Sequence, residues 1–302
     1  MKKSKLGSSD LIVSEIGLGC MSLGTEESSA IRLVHEALER DVNFLDTADI
    51  YDDGRNEVIV GKAIKGRRHD VILATKVGNR LIPSQEGMTW DASKKHIITA
   101  VKESLTRLRT DYIDLYQLHG GTMQDPIDET IEAFEQLKKE GLIRYYGISS
   151  IRQNVVREYV SRSNIVSVMS QYSILDRRPE EEILPTLATN DISMIVRGPV
   201  AKGILSNRGD QKTEKGYLDH KAEELQKIRA ELQSFVHEDR SMAQIALRYV
   251  LSDPAVAVTI PGASSLDQLL HNIAAGDVTP LTEEEIAIIR EFSKAYHYAE
   301  YR

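Results

Sequence analysis

The chain has one cysteine, Cys20, one tryptophan, Trp90, and only four phenylalanines among 302 residues. A lone cysteine excludes an intramolecular disulfide, so nothing points to an oxidising compartment. Basic residues are outnumbered: 38 lysines and arginines face 46 acids, a formal charge of −8. That balance argues against general binding to nucleic acid or an anionic membrane, while leaving room for a local cationic pocket. No apolar run approaches the ~20 residues of a membrane-spanning helix. The start, MKKSKLGSSDLIVSEIGLG, is basic but has no apolar core or cleavage site, and is not read as a signal peptide. There is no short-period repeat, no linker that would split the chain, and no G-x-G-x-x-G after the first strand, which weakens a Rossmann reading. The eight histidines are scattered without metal-ligand spacing, so no metal is expected. The expectation is a cytoplasmic protein with no nucleic-acid or membrane partner; its oligomeric state is open.

Short apolar, β-branched runs recur, separated by segments of helical periodicity. Strands are predicted at 15–19, 43–47, 71–76, 113–118, 143–148, 166–171, 193–196 and 256–260. Helices are predicted at 27–40, 56–65, 93–108, 125–141, 153–161, 179–188, 242–251 and 265–275. In DPIDETIEAFEQLKKEG, Asp125 suits an N-cap, Pro126 the first turn and Gly141 the stop, with Ile127, Ile131 and Phe134 on one face. Alternating β and α units demand parallel strands with right-handed crossovers. Eight such units in about 260 residues fit a closed (β/α)8 barrel, one domain over 1–302. Outside the eight units, 3–13 reads as a β-hairpin turning at 7–10. Residues 206–219 read as a long loop, the kind that serves as a lid or mobile segment. The tail has a capping-box start, Thr282 with Glu285, for an extra C-terminal helix.

In such barrels the active site lies at the C-terminal ends of the strands. Strand two ends at Asp46 with Tyr51 just beyond, strand three at Lys76, strand four at His119. A buried carboxylate needs a partner, and Lys76 is the nearest candidate for Asp46. An ammonium beside a phenol is expected to lower the tyrosine pKa from ~10, so that Tyr51 can exchange a proton with an alkoxide. His119, when neutral, can orient a carbonyl oxygen. These parts suit carbonyl reduction or alcohol oxidation, and since no side chain supplies hydride, a nicotinamide cofactor is required.

The ordered segments IGLGCMSLG, DTADIYDDGRNE, ATKVG, DYIDLYQLHGG, GLIRYYGISS, SQYSILDR, GPVAKGIL and IPGASSLDQLLHN run over nearly the whole chain and resemble the aldo-keto reductases. The resemblance implies NAD(P)H-dependent reduction of small aldehydes or ketones, with Asp46, Tyr51, Lys76 and His119 matching the catalytic tetrad and Tyr51 as general acid. It implies that Gly19 and Met21 pass the cofactor, and that Ser149 and Gln171 hold the nicotinamide carboxamide. The segment from Gly198 through Val200 and Lys202 would lie along the pyrophosphate, with Arg208 adding charge. The loop and helix start carrying Gly262, Ser264, Gln268 and Asn272 would hold the adenosine end, where helix N–H groups favour an anion. The substrate pocket would involve Met21, Tyr51, Trp90 and His119. The chain departs from the pattern in three ways. Ser150 replaces an asparagine. Arg197 replaces an aromatic ring on the nicotinamide, where its charge should disfavour the oxidised cofactor. Gly262 and Gln268 stand where many members carry lysine and arginine for the 2′-phosphate. NADP(H) is still favoured over NAD(H).

Blander readings stand beside these. Asp46 could be a structural cap, His119 a satisfied core histidine and Lys76 a Schiff-base lysine, although that last role leaves Tyr51 and GPVAKGIL unexplained. Asp49, Asp52 and Asp53 read as solvated or turn-forming, Glu57 as a cap or a partner for a rim cation, and Cys20 as inert packing. Trp90 is either packing or a pocket wall. A different class of function, a redox-sensing nicotinamide-binding module with little turnover, would use the same residues, because fold does not fix function.

Overall fold

The computed structural model describes residues 1–302 other than 82–86, 239, 296, 299 and 302. In chain order the strands are β1 (Lys3–Lys5), β2 (Ile12–Ser14), β3 (Leu18–Gly19), β4 (Phe44–Asp46), β5 (Ile72–Val77), β6 (Asn79–Leu81), β7 (Met88–Trp90), β8 (Ile113–Leu118), β9 (Ile143–Ser149), β10 (Ser167–Gln171), β11 (Ser193–Arg197) and β12 (Val256–Thr259). The helices are α1 (Glu27–Leu38), α2 (Arg55–Ala63), α3 (Lys94–Leu108), α4 (Ile127–Lys139), α5 (Gln153–Arg162), α6 (Ile183–Thr189), α7 (Ala222–Gln233), α8 (Met242–Val250), α9 (Leu266–Ile273) and α10 (Glu283–Phe292).

All eight expected strands form one parallel sheet in the order β12-β11-β10-β9-β8-β5-β4-β3. Parallel bridges from Ile16 to Thr259 and from Gly19 to Gly262 join its two edges, which closes the (β/α)8 barrel. Between the sheet and the surrounding helices lies the larger apolar cluster, to which α1, α3 and α4 contribute Leu33, Val101 and Phe134. The expected hairpin is β1–β2, paired antiparallel with Lys3 opposite Ser14. Its Leu6, Leu11 and Val13 pack against Phe44, Leu115, Met169 and Ile195 inside the barrel, shutting the end where the strands begin. Gly7 makes the turn possible: its φ is +52°, and a Cβ there would stand 2.2 Å from the Val166 carbonyl oxygen.

Three local expectations change, and two elements appear that were not expected. Asp125 does not cap α4; the cap position is Pro126, and the Asp125 carboxylate accepts from Thr122 and from the Trp90 indole instead. The 179–188 segment is a 3-10 turn, Arg178–Glu180, followed by α6. The 206–219 segment is not uniformly irregular, since a 3-10 turn runs over Asp210–Thr213. Beyond it comes α7, a helix not predicted, which buries Leu225, Ile228 and Leu232. In the segment after β5, β6 and β7 pair antiparallel, with Asn79 opposite Trp90. The capping box of Thr282 and Glu285 starts α10 as read. Among the described residues, no helix is long and apolar enough to cross a membrane.

Candidate active site

Strand register sets the site. Asp46 of β4 lies opposite Ala74 of β5, and Lys76 lies opposite Gln117 of β8. Side chains two apart on a strand share a face, so Lys76 points the same way as Ala74, into the interior beside Asp46. Lys76 Nζ donates to Asp46 Oδ2 at 2.7 Å, to the Thr47 carbonyl at 2.6 Å and to Tyr51 Oη at 3.2 Å. Three acceptors match the three donors of an ammonium. Gln117 Nε2 donates to the other Asp46 oxygen at 3.3 Å. Tyr51 arrives from the turn after β4, and its ring meets His119 edge-on, with centroids 5.9 Å apart. Sequence reasoning did not find Gln117; its interior register beside Lys76 was the available signal.

The electrostatics follow from burial. Lys76 is fully buried; burial pulls its ammonium down, but Asp46 and Tyr51 outweigh that and its pKa goes up. Asp46 is also shifted upward, by burial, with Lys76 opposing. The three acceptors around Nζ suit a charged ammonium. Tyr51 departs from the expected direction. Its pKa is raised, because loss of water around the phenol outweighs the neighbouring ammonium. His119 is driven to about 3 by burial, then by the charges of Lys76 and Arg197. It is neutral at ordinary pH, with a buried Nδ1 that has no partner among the described residues.

Around this group opens a cleft of about 1070 Å³. Of the site positions expected from the sequence, Gly19, Met21, Asp46, Ser149, Gln171 and Arg197 line its inner part. Gly198, Val200, Lys202 and Arg208 line it along the loop after β11, and Gly262, Ser264, Gln268 and Asn272 at the start of α9. Lys76 stands behind the wall. Trp90 does not line the cleft; its indole donates to Asp125 at 2.9 Å, and its ring lies over Gly78 and Gly120, where added Cβ atoms would come within 2.7 and 3.0 Å. Of its two readings, this is the packing one.

Several neighbours were not legible. Tyr217 and Lys212 reach the cleft from the segment beyond β11, and Asp267 and His271 from α9. Gln171 is gripped on both ends: Nε2 donates to Asp176 and Tyr217, and Oε1 accepts from Arg197 at 2.9 Å. Arg197 thus sits on the rim tied to Gln171. Ser150 turns its hydroxyl back onto the Arg152 amide at 3.1 Å, and Gln268 accepts from Ser264. Asp49 is a correction to the reading of a solvated acid. Its Oδ1 is buried without a hydrogen-bond partner, and burial followed by Glu57 pushes its pKa up to about 7. Glu57 pairs with Arg107 of α3, not a rim cation, and accepts from Thr75. Asp52 and Asp53, with φ of 49° and 54°, make the turn as read. Cys20 is buried, and burial pushes its thiol pKa far up.

A cleft lined from Tyr51 and His119 through the loop after β11 to the start of α9 fits a dinucleotide. The comparisons with known proteins agree. The model of the Aldo/keto reductase family matches residues 15–294. An uncharacterized oxidoreductase, YqkF of Bacillus subtilis, is 57% identical over the full length of both chains. The holo form of aldo-keto reductase AKR11C1 from Bacillus halodurans superposes with a TM-score of 0.95 at 57% identity, covering 100% of this chain and 99% of the other. An aldo/keto reductase from Klebsiella pneumoniae, solved in complex with NADP and acetate, gives a TM-score of 0.78 at 27% identity, covering 97% and 96%. With a barrel, a rim cleft and a family match spanning most of its length, the chain belongs to the aldo/keto reductase family of nicotinamide-dependent oxidoreductases.

Proposed function

We propose that this chain, acting as one barrel domain, reduces small aldehydes or ketones with NADPH, and that Tyr51 is the general acid. One observation carries the reading: Lys76 Nζ joins Asp46, the Thr47 carbonyl and the Tyr51 hydroxyl in one hydrogen-bonded group beside the cleft. A bound nicotinamide supplies the hydride to the carbonyl carbon. Tyr51, kept protonated by burial, gives its proton to the carbonyl oxygen as negative charge develops there. The Lys76 ammonium, 3.2 Å away, stabilises the phenolate left behind, and Asp46 keeps that ammonium charged. Neutral His119 offers a second hydrogen bond to the same oxygen, a donor fixed before reaction. Gly19, Ser149, Gln171, Arg197 and the Gly198–Lys202 loop would hold the cofactor, with Arg208 near its phosphates. Ser264 and Gln268 can hydrogen-bond a 2′-phosphate at the start of α9. The NADP carried by the Klebsiella pneumoniae relative supports the same preference.

Steady-state oxidation of NADPH with excess aldehyde tests the proposal. Tyr51→Phe should lower kcat by about 10²–10⁴ while leaving cofactor affinity close to that of the unaltered protein. NADPH should outcompete NADH in kcat/KM. Unaltered turnover in the Tyr51 variant would remove the assigned acid, and a single oxidation without multiple turnovers would replace the enzyme with a sensor.

A further inference from the structure

Cations outnumber acids along the cleft of this acidic protein. Arg152, Arg197, Lys202, Arg208 and Lys212 line it against Asp46 and Asp267, and none of the five forms an ion pair with a described residue. Elsewhere the same residue types are neutralised: Arg68, Arg107, Arg144, Arg178 and Arg240 each hold a carboxylate. Lys202, Arg208 and Lys212 belong to the loop beyond β11, where cofactor phosphates would account for them. Arg152 belongs to a different part of the cleft. Its Nη1 donates to the Gly121 carbonyl at 2.6 Å, two residues past His119, and its guanidinium stacks 5.0 Å from the centre of the Tyr301 ring. Tyr301 is itself anchored by its carbonyl, which accepts from the Asn154 backbone N–H at 2.9 Å. Arg152 is therefore fixed by a backbone oxygen and an aromatic face, neither of which cancels its charge. Its Nε and Nη2 have no hydrogen-bond partner among the described residues.

We propose that the carbonyl compounds this chain takes best carry a carboxylate, which Arg152 holds while the carbonyl lies at Tyr51 and His119. The inference rests on the reductase reading above and names the substrate class of that site. A guanidinium presents its donors in a rigid fork that matches a carboxylate, and the stacking on Tyr301 orients that fork in advance. Arg197, which also lines the cleft, adds a second positive charge. The reaction itself is unchanged: a hydride and a proton are added across the carbonyl, NADPH is oxidised, and the carboxylate passes through intact.

The test compares 4-oxobutanoate with butanal, an anionic and a neutral aldehyde of equal chain length, using NADPH at neutral pH. The expected result is a higher kcat/KM for 4-oxobutanoate, by about tenfold or more, weakening as salt is raised. Arg152→Met should lower the ratio of the two kcat/KM values by about 10- to 100-fold, mainly through KM for the anion, and Arg152→Lys should restore part of it. The ratio is read within one preparation, so a partly unfolded variant cannot imitate the effect. Equal use of both aldehydes by the unaltered protein, or a ratio that survives Arg152→Met, overturns this inference and leaves the reductase reading standing. Failure of the unaltered protein to turn over either aldehyde with either cofactor overturns both.

Discussion

At the end where its strands begin, the barrel is filled by Leu6, Leu11 and Val13 from the hairpin, packed on Phe44 and Leu115. At the other end the same interior holds Asp46, Lys76 and Gln117, all almost fully buried and joined by hydrogen bonds. The two ends reach low exposure by opposite means. Apolar contacts are non-directional, so each side chain contributes roughly by area and can be exchanged for another of similar volume. Buried charges are tolerated only as a set, because removing one partner strands the other. The shut end can therefore vary without changing chemistry, whereas the open end cannot lose one member and keep the rest in place.

The comparison breaks most sharply at Lys76. Lys76→Met leaves Asp46 buried without its cation, and the expected cost is about 3–5 kcal/mol of stability together with loss of turnover. Urea denaturation and NADPH oxidation measure the two effects, and a stable, active variant would mean that Asp46 does not depend on the lysine. Next comes Leu11→Ala at the shut end, which should cost about 2–5 kcal/mol through the cavity it leaves. Its kcat for an aldehyde at 25 °C should match the unaltered enzyme, because no hydrogen bond at the rim changes. A drop in kcat comparable to that of the Lys76 variant would show that the two ends are coupled.

The smallest effect sharpens the comparison within the open end, between Asp46, which has a cation, and Asp49, which has none in direct contact among the described residues. Glu57 of α2, Arg107 of α3 and Lys76 of β5 are the charged groups that act on Asp49, and burial and Glu57 prevail, placing its pKa at about 7. Between pH about 4 and about 7 the folded protein keeps a proton here that the unfolded chain has released. Stability at this site is therefore greatest at the acid side of that window and falls as pH rises through it. Asp49→Asn should remove the fall, so its gain over the unaltered protein should be larger at about pH 7.5 than at about pH 4.5. Urea midpoints at the two pH values decide it, and an equal difference at both would assign Asp49 an ordinary carboxylate pKa.

Much of the fold was legible because its signals are local. The eight apolar runs, the Gly7 turn and the Thr282 capping box each report a backbone preference or a buried face within a few residues. The α7 helix carried a signal too, Leu225, Ile228 and Leu232 at helical spacing, but it follows a polar, glycine-containing segment and adds a second helix after β11, outside the one-strand, one-helix rhythm. The β6–β7 hairpin is three residues a side, too short for alternation to show. At the site, residue types at strand ends suggested which groups meet. The direction of the Tyr51 shift did not follow, because it depends on how much water the folded cleft removes and not on the presence of Lys76 alone. Asp49 was misread for the same reason.

By itself, the order of residues determined the parallel barrel, the shut end and the placement of an acid, a phenol, an ammonium and an imidazole at neighbouring strand ends, since period, turn chemistry and chirality act along the chain. Only the tertiary structure decided that Lys76 faces three acceptors, that Trp90 turns to Asp125 rather than to the cleft, that Gln171 is clasped by Asp176, Tyr217 and Arg197, and that Arg152 meets no carboxylate among the described residues. Those outcomes depend on burial and on partners far away in sequence, and desolvation is a property of the assembled surface rather than of any segment.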